Sequence, residues 1–259
     1  MKAKKSYGQH FLRNEQIAKT IANSLVLEGQ YNKILEVGPG QGMLTKYLLE
    51  LPQELFAVEA DKDMVLYLQK HYPELKNNLI KGNFLRLPFD QIFGDEPFAL
   101  IGNFPYNISS QILFKMVEYR AQVPEMVGMF QKEVAERVIA PHGSKTYGVI
   151  SVLVQAFYEG SYLFTVDKKE FYPPPKVQSA VIRMVRSEKQ ELNCDEKMFR
   201  RVVKQAFSQR RKMLRNTMKT FVKGTPLLED PFFNQRPEQL SVEDFIELTQ
   251  RIEKQMEEM

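Results

Sequence analysis

Four short apolar runs, each closing on a polar or acidic residue, constrain this chain more than any other feature. They cover residues 33–37, 55–58, 79–80 and 98–101, and they end near Gly38, Glu59, Asn83 and Asn103. Helical patterns separate them: Leu44, Tyr47, Leu48 and Leu51 after the first, then Met64, Leu66, Leu68 and His71. Ile108, Ile112, Leu113, Met116 and Val117 follow the fourth run. Strands alternating with helices, with polar groups gathered at the strand ends, describe an α/β doubly wound sheet whose carboxyl edge is the site. Residues 126–130 read as a fifth strand and 132–139 as a charged helix. Before the first strand, Asn14 is a plausible N-cap, and Ile17, Ala18, Ile21, Ala22 and Leu25 recur at helical spacing. That stripe reads as packing.

The strand ends differ in chemistry. Glu36-Val37-Gly38-Pro39-Gly40-Gln41-Gly42 is a strand running into a glycine turn, where the backbone can approach a ligand and offer amide donors. A tight turn is the plainer reading. The spacing is G-x-G-x-G with Glu36 two residues ahead, which departs from the G-x-G-x-x-G of dinucleotide sites. Glu59, about twenty residues beyond the glycines, suits the two hydroxyls of a ribose and disfavours a phosphate there. Asn83 can donate to and accept from an adenine edge. Asn103-Phe104-Pro105-Tyr106 joins a carboxamide, a backbone-fixing proline and an aromatic ring, a set that suits a flat, amine-bearing base. It equally describes a strand-to-turn junction with a buried tyrosine.

With 259 residues, 43% of them hydrophobic, the chain can bury one α/β core and keep a small appendage. Residues 148–157 and 179–185 are β-rich runs. Between them, 168–176 holds Phe171, Tyr172 and three consecutive prolines, a stiff connection or, more generically, a polyproline docking motif. After a polar linker at 187–191 the strand character stops, and from Asp195 everything reads as helix. Residues 197–224 carry ten basic side chains and no acidic one. Phe199, Val202, Val203, Ala206 and Phe207, then Leu214, Met218 and Phe221, form a buried stripe beneath that charge. A single-sign run of this kind is better explained by phosphates than by a solvated mixed face. The tail from Glu238 is acidic and amphipathic. The net charge is only +4, but its placement makes nucleic acid a partner to consider.

Cys194 is the single cysteine, which excludes an internal disulfide framework and a thiolate zinc site. His10, His71 and His142 lie far apart, against a histidine-rich metal site, and no metal is expected. The N-terminus is basic, with Lys2, Lys4 and Lys5, and no apolar stretch of signal or membrane-spanning length follows. A soluble, cytoplasmic protein with no membrane partner is expected. No stretch demands an apolar interface, so a monomer is expected as well.

Taken together, the arm from Gln9 to Leu12, the Glu36-to-Gly42 loop, Asn103-Phe104-Pro105-Tyr106, and Phe171 before Pro173-Pro174-Pro175-Lys176-Val177 closely resemble the ribosomal RNA adenine dimethyltransferases of the small subunit. The resemblance covers nearly the whole chain, including the segment from Phe207 to Asn216. It implies a Rossmann-like class I methyltransferase sheet over 1–188 and a small all-helical C-terminal RNA-binding domain over 189–259. The implied activity is S-adenosylmethionine-dependent dimethylation of the exocyclic amine of two adjacent adenosines near the 3′ end of the RNA. Small-subunit ribosomal RNA, or an immature small ribosomal subunit, is then the partner. By position it implies cofactor contacts from His10, Leu12, Gly38, Gly40, Glu59, Asn83 and Asn103. Asn103 and the Pro105 carbonyl would meet the amine, Tyr106 and Phe171 would sandwich the base, and Arg210, Arg211, Lys212 and Arg215 would meet RNA phosphates. The family more often has asparagine at the position of His10, aspartate at that of Asn83 and leucine at that of Phe104. Macrolide-resistance methyltransferases of large-subunit RNA share most of the catalytic half. A non-catalytic ribosome-assembly or transcription partner is the alternative from another class, and a dinucleotide oxidoreductase leaves the basic helical module unexplained.

Overall fold

A computed structural model describes Lys4 and residues 8–27, 29–189 and 191–258; Lys2, Lys5 and Tyr7 of the arm and Gln190 of the linker lie outside the described residues. The chain opens with a two-residue strand, β1 (Phe11–Leu12), and a helix, α1 (Glu15–Ala22). Asn14 starts α1: its side-chain oxygen accepts from the Ile17 N–H at 3.1 Å, and Ala18, Ile21 and Ala22 turn into the core. Next come β2 (Lys33–Val37), α2 (Thr45–Leu48), β3 (Glu54–Glu59), α3 (Lys62–His71), β4 (Leu79–Lys81), α4 (Phe89–Phe93) and β5 (Phe98–Asn103). Then α5 (Ser109–Glu118), β6 (Glu125–Gln131) and α6 (Lys132–Val138) follow.

The five strands β2 to β6 are mutually parallel and lie in the order β4-β3-β2-β5-β6. Strand order reverses at β2, with β3 and β4 to one side and β5 and β6 to the other, so the crevice at the carboxyl ends of β2 and β5 is the place for a ligand. Buried side chains on both faces explain why these segments read as apolar runs rather than alternating ones. The start of β2 is anchored from within by Glu125, whose carboxylate accepts from the Val26 and Leu27 N–H groups and the Tyr31 hydroxyl.

After α6 the structure departs from the sequence expectation. Residues 148–157, expected as a strand, contain a helix, α7 (Val149–Gln155), and the strand begins only afterwards, as β7 (Tyr158–Val166). A wholly buried apolar run carries no periodicity that separates strand from helix. Here Ser151 decides locally: its hydroxyl accepts from the Gly148 N–H at 3.0 Å and donates to the Arg137 carbonyl at 2.5 Å, closing the helix start. Two more strands complete the set, β8 (Phe171–Tyr172) and β9 (Ser179–Arg186). β9 runs antiparallel to β6, β7 is next to β9 at the sheet edge, and β8 pairs with β1 in a separate ribbon.

The remainder is helical: α8 (Glu196–Phe207), α9 (Leu214–Thr217), α10 (Lys219–Val222) and α11 (Val242–Glu257), with short proline-initiated turns between the last two. The chain forms two units. One takes residues up to 135 together with 159–186; the other takes 136–158 together with 187 onward. The boundary expected at 188/189 falls beside the observed one, but 136–158 joins the helical unit, where α7 packs against α8.

Candidate active site

The carboxyl ends of β2, β3 and β5, the turn after β4 and residues 8–12 enclose a cavity of about 510 Å³. Gly38, Gly40 and Gly42 all have positive φ, so the β2–α2 turn coils in a way that a side chain would strain. The Gly40 N–H donates to Glu59 Oε2 at 3.0 Å, and the Asp61 N–H donates to Glu59 Oε1 at 2.9 Å. Glu59 is thereby aimed at the cavity with lone pairs remaining on both oxygens. Burial raises its pKa, and the amides of Asp61, Gly40 and Ala60 work against that rise.

Glu36, at 2% exposed, lies deeper. Its pKa is pushed up to about 8, first by burial and then by the charge of Glu59, while the Thr45 hydroxyl donating at 2.7 Å opposes the shift. Asn83 stands at the rim. Its side-chain oxygen accepts from the Leu85 N–H at 2.9 Å, and its Nδ2 has no partner among the described residues.

Residues 8–12 close one side of the cavity through contacts that spacing could not reveal. Asp61, 1% exposed, accepts from Lys4 Nζ at 2.6 Å and from Gln9 Nε2 at 2.9 Å. Burial alone would raise the Asp61 pKa, but these partners together with the Asp63 N–H outweigh it and hold the carboxyl below its ordinary range. The sequence marks Asp61 only as a neighbour of Glu59; a buried acid facing a basic arm was the one available signal. From the same arm, the His10 carbonyl accepts from Asn103 Nδ2 at 2.9 Å. That bond commits the amide nitrogen, so Asn103 Oδ1, which accepts from nothing among the described residues, is the acceptor left at the cavity.

The rest of the aromatic stretch sorts by burial. Phe104 is 1% exposed, with its ring 5.1 Å from that of Phe130. A Cβ on Gly128 would come within 2.3 Å of the Phe104 ring, and one on Gly102 within 2.9 Å, so the paired glycines Gly102 and Gly128 of β5 and β6 make the space it fills. Tyr106 is half-buried, its hydroxyl 2.5 Å from Ser179 Oγ and its ring stacked at 5.4 Å on that of His10. His10 Nδ1 in turn bonds the Pro173 carbonyl at 2.8 Å.

Two expectations need correction. The Pro105 carbonyl, expected at the amine, already accepts from the Ile108 N–H at 3.2 Å, closing a 3-10 turn at Tyr106–Ile108 ahead of α5, and from the Ser109 hydroxyl at 3.4 Å. The Phe104 carbonyl has no partner among the described residues. Phe171, expected to stack on a base, is 2% exposed and belongs to the core beside Leu12 and Val166. Strand alternation turns it inward. The cavity thus brings together His10, Leu12, Gly38, Gly40, Glu59, Asn83, Asn103, Pro105 and Tyr106, and leaves Phe171 outside its lining.

In the helical unit, Arg210, Arg211, Lys212 and Arg215 occupy the α8–α9 connection and the start of α9. Arg211 and Lys212 are exposed, whereas Arg210 is half-buried and donates to the Ser144 carbonyl at 3.0 Å. Arg215 is half-buried, with a buried Nε that has no partner among the described residues.

Known proteins resemble this chain along its whole length. The family described as ribosomal RNA adenine dimethylase matches residues 1–254. A protein of Flavobacterium johnsoniae named ribosomal RNA small subunit methyltransferase A is 56% identical over 253 residues, covering 98% of this chain and 97% of its own length. One of the same name from Phocaeicola vulgatus is 52% identical, covering 98% and 90%. Among solved structures, a dimethyladenosine transferase from Plasmodium falciparum superposes with a TM-score of 0.78 at 26% identity, covering 95% of this chain and 98% of that one. The 23S rRNA methyltransferase ErmE has the same fold, with a TM-score of 0.69 at 21% identity and coverage of 94% and 99%.

Proposed function

This chain belongs to the ribosomal RNA adenine dimethylase family, and on that premise we propose that Asn103 holds the exocyclic amine of an adenosine of small-subunit ribosomal RNA for dimethylation, at two adjacent adenosines near the 3′ end. The protein is an S-adenosylmethionine-dependent methyltransferase. One observation carries the assignment of Asn103: its Nδ2 donates to the His10 carbonyl, which leaves Oδ1 to accept from the substrate.

The cavity lining fits the cofactor. Glu59, preset by the Gly40 and Asp61 amides, has lone pairs for two ribose hydroxyls. Gly38 and Gly40 allow close approach of the backbone, and Asn83 can donate from Nδ2 to an adenine ring nitrogen. His10 and Leu12 also line the cavity. When bound, S-adenosylmethionine supplies an electrophilic methyl group on a sulfonium.

The residues of β5 and its turn prepare the other reactant. An aromatic amine has its lone pair delocalised into the ring. Asn103 Oδ1 and a backbone carbonyl, accepting from the two amine hydrogens, favour a tetrahedral nitrogen and fix its direction. The carbonyl we assign is that of Phe104, since that of Pro105 is engaged by Ile108 and Ser109. Tyr106, at the cavity, offers its ring to the base. These acceptors are neutral; the methylated amine carries an acidic proton that water removes.

Asn103→Ala tests the assignment. Methyl transfer to immature small subunits should fall at least about a hundredfold, the scale of losing one preset polar contact in a transition state, while subunit binding stays near wild type. Near-normal turnover would sink the role. The identities of 56% and 52% to small-subunit enzymes favour that substrate over large-subunit RNA, and assaying both RNAs separates the two. We further infer a cytoplasmic monomer, since no stretch of the sequence demands an apolar interface; light scattering on the purified protein checks the monomer. Among the described residues no helix is long and apolar enough to cross a membrane.

A further inference from the structure

Residues 168–178 carry a surface that methyl transfer does not use. Phe171 and Tyr172 form β8, and alternation along a strand sends successive side chains to opposite faces. Phe171 enters the core, and Tyr172 stands out at 59% exposed. The backbone beneath it is held on both sides: Phe11 pairs with Tyr172 and Leu12 with Phe171, the Arg13 N–H donates to the Glu170 carbonyl at 2.8 Å, and His10 Nδ1 bonds the Pro173 carbonyl at 2.8 Å. A large ring presented to water on so fixed a ribbon costs apolar exposure without contributing to packing. Lys168, Lys169 and Lys176 are exposed in the same segment, and its one acidic residue, Glu170, is half-buried and accepts from Asn14 Nδ2 at 2.9 Å. The ribbon also leads to the site, because the His10 ring that bonds Pro173 stacks on Tyr106.

We propose that Tyr172 is a stacking platform for the nucleotide next to the target adenosine, with Lys168, Lys169 and Lys176 meeting its neighbouring phosphates. The proposal rests on the reading that the target base is received at Asn103 and Tyr106. Turning a base out of its stack leaves its neighbour with a bare face. An exposed tyrosine among cations accepts any base in that position, since every base has a π-face, and the lysines add an attraction that salt weakens.

Tyr172→Ala and Tyr172→Phe, in the full chain with immature small ribosomal subunits as substrate, test the platform. Tyr172→Ala should raise KM for subunits about tenfold, within the range of one base–aromatic stack, with kcat within about twofold of wild type. Cofactor affinity should not change, and Tyr172→Phe should behave as wild type because it keeps the ring. An unchanged KM in Tyr172→Ala, or a Tyr172→Phe as impaired as the alanine, would overturn the proposal. So would a loss in kcat alone, which would put the ring on the target base itself. Replacing Lys168, Lys169 and Lys176 together by Gln should flatten the salt dependence of subunit binding by about 0.7 for each phosphate that the lysines neutralise; an unchanged slope removes the lysines from the platform. The Asn103→Ala assay decides the underlying reading separately: an active Asn103→Ala would refute it and leave any KM effect at Tyr172 standing.

Discussion

Glu36 is a carboxyl placed where its proton is favoured, with no ion-pair partner among the described residues and the charge of Glu59 nearby. Its pKa is raised by burial from 4.5 to about 8. The folded chain therefore keeps a proton that the unfolded chain releases, and stability falls as pH rises from about 4.5 to about 8, then levels off. Glu36→Gln is neutral at every pH and can still accept from the Thr45 hydroxyl. Its denaturant midpoint should fall less than that of wild type over that window, and equal slopes would mean that Glu36 is already ionised in the fold. Asn103 shows a different use of a single polar group. An aspartate there could accept from an amine but could not donate to the His10 carbonyl, so the amide couples the arm to the reacting amine. At position 10 the imidazole ring stacks on Tyr106 and bonds the Pro173 carbonyl, contacts an asparagine could not combine.

At the level of elements, the turn after β5 takes its shape from two glycines on neighbouring strands. Gly102 and Gly128 are register partners, and the Phe104 ring occupies the space their missing side chains leave. Gly128→Ala puts a methyl 2.3 Å from that ring and 2.7 Å from the Phe130 ring, a clash that two packed rings must absorb. The variant should lose about 1–3 kcal/mol of stability, as overpacked cores do, and turnover should drop because Phe104 lies between Asn103 and Pro105. Adding Phe104→Leu, a smaller side chain, should recover much of both, read by thermal melts and methyl transfer. A double variant no better than Gly128→Ala would locate the strain elsewhere in the sheet. Much of this architecture was legible in the chain, because polar residues closing apolar runs mark the ends of buried parallel strands: Glu59, Asn83 and Asn103 all reach one cavity. What was not legible depended on neighbours distant in sequence. Residues 149–155 are apolar at nearly every position and offer no period to read, and Phe171 could not be seen to turn inward without the β1–β8 pairing. The occupation of the Pro105 carbonyl by Ile108 is set by the 3-10 turn at Tyr106–Ile108, which composition does not mark to the residue.

For the whole molecule, the lining of the cavity comes entirely from residues 8–108, whereas the densest positive charge is carried by the helical unit. Chemistry and much of the phosphate attraction are therefore separable by mutation. In that unit α8 buries Phe199, Val202, Val203 and Ala206, so its basic residues fall on the remaining face and in the connection that follows. The four basic residues assigned to RNA do not share one role. Arg210 ties the backbone of the 141–147 loop through Ser144, so its loss should act on stability as well as on binding. Arg211 and Lys212 are exposed and have the freedom to meet phosphates. Replacing both by Gln should weaken subunit binding and reduce the slope of log affinity against log salt by about 1.5, at about 0.7–0.9 per neutralised phosphate. Cofactor affinity and kcat at saturating subunits should remain those of wild type, since neither residue lines the cavity. Titrations of subunits at several salt concentrations give the slope directly. An unchanged slope would return Arg211 and Lys212 to ordinary solvated surface and leave the phosphate attraction to the other basic side chains of 197–224.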